Sequence, residues 1–408
     1  MSAPATTEKK YLKWYQKLAY GSGDLASNCS YGLVSSFVLL YLTGTLGLDS
    51  AIIGSLMLAS KVLDGISDVI FGTLIDRTHS KLGKARPWML FGQVGVSLCL
   101  FLLFAIPAGS TTMQYIYFFI VYTALNAVFY TANGIAYSSL VALITKNNNE
   151  RVQLGSFRFM FAVVTNIFMG FAVTGMVEKF GSGAAGWRTT ALIFAIVGLV
   201  VNTISCLAVK ELPEEELSDN TSEAAEEGKA VAEEKKHGFA ETAKILVHNK
   251  YYLMILAIYI VYYIMSNLTT GAGVFCATYY WGDGSLLGQF SMMKMFPVII
   301  ALAIAPVLIK KTGSMQKVNF WGYAISSVLG IPMIYFAMQK NLSMFLLFMF
   351  IKGIFAGTLS GSLNALIAEA SGYTTRTTGI HMDGMMYSCS SLGVKVGGGI
   401  GTAAVGWL

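Results

Sequence analysis

Charged residues are scarce in this chain: Asp, Glu, Lys and Arg make up 12% of 408 residues, against about 25% in soluble domains. The five cysteines are scattered singly, and no two have the spacing of a metal–thiolate site or of a disulfide framework. The four histidines belong to no Ser-His-Asp arrangement, and no phosphate-binding glycine loop occurs. The sequence therefore argues against a soluble domain and against an enzyme, and we expect neither a cofactor nor a bound metal centre.

Long apolar runs are what the chain has in abundance. Hydrophobic residues make up 55% of it, and the runs are far longer than the roughly 10 residues of a membrane β-strand. Only helices and closed barrels satisfy their backbone in lipid, so we predict an all-α polytopic membrane protein. The predicted spans are 18–43, 51–75, 88–107, 113–143, 155–177, 188–209, 251–274, 285–309, 319–338, 342–370 and 378–408.

Basic residues collect in alternate connections between these spans. The positive-inside rule then predicts a cytoplasmic N-terminus in a cell (inner) membrane. Because the net charge of +6 follows this topology, it does not indicate nucleic-acid binding. The basic clusters are Lys9, Lys10, Lys13 and Lys17; Arg77, Lys81, Lys84 and Arg86; Lys146 and Arg151; Lys310, Lys311 and Lys317; and Arg376.

The order of spans predicts two bundles. Residues 1–209 hold six spans, 210–250 form a polar, mobile cytoplasmic linker, and 251–408 hold five more. This is the layout of the major facilitator fold, in which two six-helix bundles rock about a midplane site. Eleven predicted spans lead us to expect that the twelfth helix of this fold is absent from this chain.

Two carboxylates, Asp64 and Asp68, lie one helical turn apart inside span two. An ionised carboxylate in the bilayer costs on the order of 2.5–3.5 kcal/mol, so a cation or a basic side chain must meet them. Ser67 adds an oxygen on the same side, and Thr131 of span four is placed to close a cation site. A structural ion pair with Lys61 is the alternative.

The connection after span two predicts a gate. Gly72 to Arg77, with Asp76 and Arg77 at its end, looks like the Gly-x-x-x-Asp-Arg loop of major facilitators. Asp76, Arg77 and Arg86 can form charge-assisted contacts that lock the cytoplasmic side, and we assign Arg376 and Asp383 to the same gate.

Polar and aromatic side chains form stripes on several spans. On span four, Asn126, Tyr130, Asn133 and Tyr137 recur at helical spacing, which suits a sugar but equally suits polar contacts between helices. Asn28 and Tyr31 of span one and Asn267 of span seven give weaker signals of the same kind.

Two cations lie inside apolar runs and need partners: Arg158 of span five and Lys395 of span eleven. In the first half, Asp64 and Asp68 are the available carboxylates, and a bridge from Lys395 to them would tie the two bundles together. Lys294 and Lys352 are expected to snorkel instead.

Several motifs resemble those of the glycoside–pentoside–hexuronide:cation symporters, the family typified by melibiose permease. They are Tyr20 to Gly23, the Asp64–Asp68 segment, Gly83 to Trp88, Arg158-Phe159, Gly379 to Asp383 and Lys395 to Gly398. The resemblance implies that Asp64, Ser67, Asp68 and Thr131 bind the coupling cation, that Lys395 lies close to both sites, and that Arg158 lies near the sugar.

The sugar pocket departs from the family pattern. Asn28 and Gly134 stand where melibiose permease has the two acids that hold its galactoside, and Ser138 stands in place of a tryptophan. The resemblance thus implies cation-coupled symport of a sugar, with an anionic uronide and a neutral pentoside, and Na⁺ and H⁺, left open. A lysolipid carrier and a non-transporting sugar sensor are the alternatives. The expected partners are a sugar, a monovalent cation and the bilayer, with no nucleic acid, and we expect a monomer.

Overall fold

The computed structural model of the chain describes residues 9–213, 249–378 and 383–408. Within these ranges every regular element is helical. The helices of the first half are α1 (Trp14–Gly21), α2 (Gly23–Leu40) with a π-helical turn (Tyr41–Thr45), α3 (Ser50–Asp76), α4 (Arg86–Leu103), α5 (Thr111–Thr123) with a π-helical turn (Ala124–Tyr130), α6 (Thr131–Ile144), α7 (Asn148–Lys179) and α8 (Gly183–Leu207).

The second half continues the same pattern of long helices joined by short connections. Each predicted span coincides with one helix or with consecutive helical segments. The helices of this half are α9 (Lys250–Phe275) with a π-helical turn (Cys276–Tyr280), α10 (Leu286–Thr312), α11 (Met315–Met338), α12 (Leu342–Thr378) and α13 (Asp383–Trp407).

Length and apolarity allow eight of the helical segments in the described residues to cross a membrane. The three remaining predicted spans coincide with α3, α10 and α13. Large apolar side chains also cover the outside of the helices: Phe91 is 71% exposed and Ile331 is 70% exposed. Apolar surface on this scale suits contact with lipid rather than with water.

Polar side chains at the ends of the apolar runs start several of the helices. Asp49 caps α3 by accepting hydrogen bonds from the backbone N–H groups of Ala51 and Ile52, over 2.9 and 3.1 Å. Asn249 caps α9 in the same way. Such caps satisfy backbone donors that have no partner within the helix, which is why the helices begin at these residues.

Two compact units divide the described helices: α1–α8 make up the bulk of one, and α9–α13 the bulk of the other. In the first unit α4 packs against α6 and α8. In the second, α12 packs against α10 and α11, and α13 meets α9 through Gly393, Gly397 and Gly401. A Cβ at Gly397 or Gly401 would clash with a backbone carbonyl of α9, so the small-residue repeat sets this close approach.

The carboxylate of Glu150 ties the segment before α1 to the start of α7. It accepts hydrogen bonds from the backbone N–H groups of Tyr11 and Leu12, each over 3.2 Å, and from Thr145 Oγ1 over 2.7 Å. Lys17 Nζ lies 3.0 Å from the same carboxylate. Burial favours the neutral acid, but these donors outweigh burial and lower the pKa of Glu150.

We expect Glu150→Gln to lower the free energy of unfolding near pH 7 by about 1–3 kcal/mol, because the donors lose a charged acceptor. The folded pKa lies below the unfolded value of about 4.3, so the difference is present at neutral pH and is lost as the pH falls through the folded pKa. Thermal unfolding of the purified protein over a pH series measures it. Glu178→Gln, at the exposed far end of α7, is the matched control; equal effects of the two changes would contradict the prediction.

Candidate functional site

The side chain of Asp64 is buried where α3 packs against α6. Thr131 Oγ1 donates a hydrogen bond to Asp64 Oδ1 over 2.6 Å, and Lys61 Nζ lies 3.5 Å from Asp64 Oδ2. The structure thus brings together the carboxylate, the threonine predicted to close a cation site, and the lysine of the alternative ion pair. Lys61 therefore already pairs with Asp64, and their separation of 3.5 Å is long for an ion pair.

Ser67 and Asp68 extend this arrangement along α3. Ser67 is buried, and its Oγ donates to the backbone carbonyl of Asp64 over 2.8 Å. Asp68 is half-buried one turn beyond Asp64. The Ser67 hydroxyl therefore gives its proton to the helix backbone, and only its oxygen lone pairs are left to bind another group. Cation binding at these oxygens stays a prediction.

A π-helical turn, Ala124–Tyr130, immediately precedes Thr131. Besides Asp64, Thr131 Oγ1 has a second acceptor within hydrogen-bond distance, the backbone carbonyl of Asn126 at 2.9 Å. A hydroxyl has one proton and cannot satisfy both acceptors fully. The Oδ1 atom of Asn126 is buried and has no hydrogen-bond partner among the described residues. The turn therefore brings the backbone carbonyl of Asn126 close to the Thr131–Asp64 contact, and π-turns recur at functional sites.

Tyr31 and Tyr130 form a stacked aromatic pair, with ring centroids 5.2 Å apart and planes 24° from parallel. Lys61 Nζ lies 5.6 Å from the centre of the Tyr31 ring while it also approaches Asp64. Lys61 therefore links the buried carboxylate to the aromatic pair. Both tyrosines were predicted as substrate residues, and the structure brings them together.

Arg158 pairs with Asp24, with 2.5 Å between Nε and Asp24 Oδ2. Its guanidinium also lies over the Tyr137 ring, 4.2 Å from the centroid, and the Tyr137 hydroxyl donates to Asp24 Oδ2 over 3.3 Å. The sequence predicted Asp64 and Asp68 as the available partners of Arg158. That interpretation is wrong: helix α2 brings its own carboxylate to α7.

The signal for this ion pair is present in the sequence. Asp24 is the acid that lies within span one, four residues before Asn28, on the same helical face. In the structure Asn28 Oδ1 accepts a hydrogen bond from Asn166 Nδ2 over 3.1 Å. Asp24 and Asn28 therefore both face α7, where Arg158 and Asn166 meet them.

The predicted stripe on span four is divided in the structure. Tyr130 stacks on Tyr31 of α2, and Tyr137 packs against Tyr20 of α1. Asn133 is 1% exposed and donates from Nδ2 to Gln93 Oε1 of α4 over 3.0 Å. Tyr130 and Tyr137 are seven residues apart and share a face of the helix, whereas Asn133 lies at the edge of that face, next to α4. Asn133 forms a polar contact between helices in this structure, the alternative that the sequence left open, and its assignment to the substrate site stays a prediction.

Two predicted substrate residues belong to the second unit. Asn267 lies on α9, where its Nδ2 donates to the backbone carbonyl of Tyr263 over 2.9 Å, and a Cβ at Gly398 would lie 3.5 Å from that nitrogen. Lys395 lies on α13, half-buried, on the stretch that packs against α9. Its bridge to Asp64 and Asp68 stays a prediction.

Of the predicted gate residues, Arg77 is exposed at the end of α3 and Arg86 is buried at the start of α4. Arg86 donates from Nε to the backbone carbonyl of Cys206 over 3.2 Å, a contact within the first unit. Asp76 ends α3, and its side chain lies outside the described residues, as do the side chains of Arg376 and Asp383. Gating by these groups stays a prediction.

Glu211 occupies a cradle of backbone N–H groups at the start of α4. Its carboxylate accepts from the N–H groups of Lys84, Ala85 and Arg86, over 2.7, 3.0 and 3.0 Å. Gly83 has φ +109°, and a Cβ there would clash with the carboxylate, so this position requires glycine. The predicted linker thus begins with an anchored residue. The rest of it, residues 214–248, lies outside the described ranges.

Residues 19–408 match the family described as MFS/sugar transport protein. The chain belongs to this family. Among relatives of the MFS/sugar transport family, the isoprimeverose transporter of Lactiplantibacillus pentosus is 25% identical over 414 residues, which cover 99% of this chain and 83% of that protein. The glucuronide carrier protein homolog of Escherichia coli is 23% identical over 394 residues, covering 96% and 82%. The family resemblance inferred from the motifs is confirmed.

Solved structures give the same result for the fold. A D-xylose–proton symporter superposes with a TM-score of 0.64, covering 98% of this chain and 90% of that one, at 13% identity. Identity this low bears on the fold alone. The prediction of an all-α major facilitator fold is confirmed, and the absence of the twelfth helix from this chain stays a prediction.

Proposed function

We propose that this MFS/sugar transport protein is a secondary transporter that couples entry of a sugar or glycoside to a monovalent cation, Na⁺ or H⁺. It works by alternating access in the cell membrane, with a cytoplasmic N-terminus. The names of its relatives, an isoprimeverose transporter and a glucuronide carrier homolog, support a sugar substrate. The observation that carries the cation is the buried Asp64 and its 2.6 Å contact with Thr131.

The charges inside the first unit fit one bound monovalent cation. The predicted spans 18–43, 51–75 and 155–177 carry three acids, Asp24, Asp64 and Asp68, against two bases, Lys61 and Arg158. One acidic charge is in excess, and burying it without compensation is costly. A single Na⁺ or H⁺ at Asp64 and Asp68 removes that excess and stabilises the loaded protein.

The Thr131 hydroxyl suits either ion. A proton on Asp64 would let Asp64 donate to Thr131, and Thr131 would then donate to the Asn126 carbonyl, so that every contact has its own hydrogen. Alternatively, Na⁺ would take Asp64, Thr131 and the Asn126 carbonyl as oxygen ligands, the type that hard cations prefer.

Lys61 provides the coupling between ion and sugar. It approaches both Asp64 and the Tyr31 ring, which stacks on Tyr130. A cation at Asp64 weakens the attraction between that carboxylate and Lys61, so Lys61 can shift relative to the Tyr31 ring. The faces of the Tyr31–Tyr130 pair suit the C–H faces of a sugar, so this shift alters sugar binding. The coupling is reciprocal, so the sugar must tighten cation binding by the same factor.

The test is sugar binding to purified protein by calorimetry, with pentosides, uronides and galactosides, with and without Na⁺ and over a pH series. We expect at least one sugar to bind at least fivefold more tightly when the coupling ion is present, the low end of typical coupling. A dependence on Na⁺ identifies sodium, and a dependence on pH alone identifies protons. Binding of an amphiphile with no response to any sugar would overturn the proposal in favour of a lipid carrier.

A further inference from the structure

Lys294 is a cation inside the second unit that is bonded to a neutral group. Its Nζ donates to Thr270 Oγ1 over 2.6 Å, and Thr270 donates its own proton to the backbone carbonyl of Ser266 over 2.8 Å. Snorkelling was the expectation for this lysine, but its amine instead bonds a hydroxyl of the neighbouring helix, nine residues into α10. Two ammonium protons remain for other acceptors.

The second half of the chain has few acids to neutralise this lysine. Residues 251–408 contain only Asp283, Glu369 and Asp383 as acids. Asp283 precedes α10, and its carboxylate accepts from the backbone N–H of Ser285. Lys294 lies about 12 Å along α10 from the start of that helix at Leu286, so Asp283 is beyond the reach of its side chain.

The other two acids lie far along their helices. Helix α12 meets α10 where Gly353 touches Pro297, so Glu369 lies on the order of 28 Å beyond the level of Lys294. Helix α13 meets α9 where Val405 touches Gly271, and Asp383 is about 33 Å from that level. Within the second unit no acid of this half of the chain reaches Lys294.

Lys294 lies beside a polar stripe. Tyr263, Asn267 and Thr270 recur at i, i+4 and i+7, which places them on one face of α9. Asn267 and Lys294 are both half-buried. Amide, phenol and hydroxyl groups bond sugar hydroxyls, and the ammonium beside them fits an oxyanion. The second unit therefore offers the neutral groups of the stripe for sugar hydroxyls and the ammonium of Lys294 for an anionic group.

We propose that Lys294 recognises an anionic group of the transported sugar, a carboxylate or a sulfonate, and so sets the specificity of this protein for acidic over neutral sugars. This inference rests on the proposed function and deepens it. The anion neutralises a charge that the second unit otherwise holds beside neutral groups. Thr270 is the positioning residue, since its hydroxyl holds the ammonium toward the stripe.

The experiment compares matched sugars by calorimetry on the purified full chain with the coupling ion present. The pairs are D-glucose with D-glucuronate and D-galactose with D-galacturonate, and 6-deoxy-6-sulfo-glucose separates a sulfonate substrate from a carboxylate one. The variants are Lys294→Met, which keeps the length and loses the charge, and Lys294→Arg, which keeps the charge. Lys352→Met, a lysine inside α12, is the matched control.

We expect the wild type to prefer the acidic member of a pair, and Lys294→Met to lose 10- to 100-fold in affinity for it with the neutral sugar unaffected. Lys294→Arg should retain part of the preference and Lys352→Met all of it. Ion-dependent binding of neutral sugars alone, or equal weakening of both members by Lys294→Met, would overturn this inference and leave the proposed function standing. Absence of any sugar binding would overturn both.

Discussion

Asp64→Asn is expected to abolish the dependence of sugar binding on the coupling cation, with a loss of about 100-fold or more in apparent cation affinity. The amide keeps the size of the side chain and one oxygen for Thr131, but it removes the charge that makes a cation favourable inside the first unit. It also leaves Lys61 without its carboxylate at 3.5 Å. Calorimetric titration of sugar at several cation concentrations, or cation-driven uptake into proteoliposomes, measures the effect.

The matched control is Asp49→Asn on the same helix. Asp49 caps α3 from an exposed position, and asparagine caps helices as well as aspartate. Its cation response should equal that of the wild type. If Asp64→Asn keeps the wild-type cation dependence while Asp68→Asn loses it, the second carboxylate alone binds the ion and the role given to the Thr131 contact is wrong.

The second large effect is expected on stability. Asp24→Asn or Arg158→Met should each lower the free energy of unfolding by about 3 kcal/mol, because each leaves one charge of a largely buried ion pair without its partner. The double variant should recover most of that loss, since it leaves no unpaired charge. Unfolding of the purified protein, followed by heat or denaturant, measures the three variants as a double-mutant cycle.

Sugar binding by the same variants separates structure from recognition. Thr165→Ala on α7 is a suitable control, since it removes a hydroxyl that donates to the backbone carbonyl of Phe161 over 2.7 Å and moves no charge. Two single losses that add up in the double variant would show that Arg158 and Asp24 act independently, contrary to the geometry. A double variant that is stable yet binds no sugar would assign recognition, beyond folding, to this pair.

Much of the proposed cation site follows from the sequence, because several of its groups lie close together on one helix. Two acids four residues apart in one apolar helix must share a face, and Thr131 is a hydroxyl in a neighbouring apolar run. Lys61, three residues before Asp64, is within reach on the same helix. The approach of Lys61 to Asp64 follows from helical geometry alone, whereas the contact of Thr131 with Asp64 also requires α6 to pack against α3.

The partners of Arg158 and Asn133 depend on which helices pack together, and no spacing along the chain encodes that. Arg158 meets Asp24 because α7 lies beside α2 in the first unit. Asn133 meets Gln93 because α4 approaches α6 closely at Gly92, where a Cβ would lie 3.1 Å from the Asn133 backbone.

The sequence by itself determined the all-helical membrane architecture and the family, and it singled out the acids inside the membrane spans, because the cost of burying charge and bare backbone in lipid leaves few arrangements open. Only the tertiary structure decided which partner each charged side chain has. It paired Arg158 with Asp24, anchored Glu211 on α4, and set Lys294 against a hydroxyl with no acid of its half of the chain in reach. Pairing between helices is a long-range property of packing, whereas burial and helical spacing are properties of the chain itself.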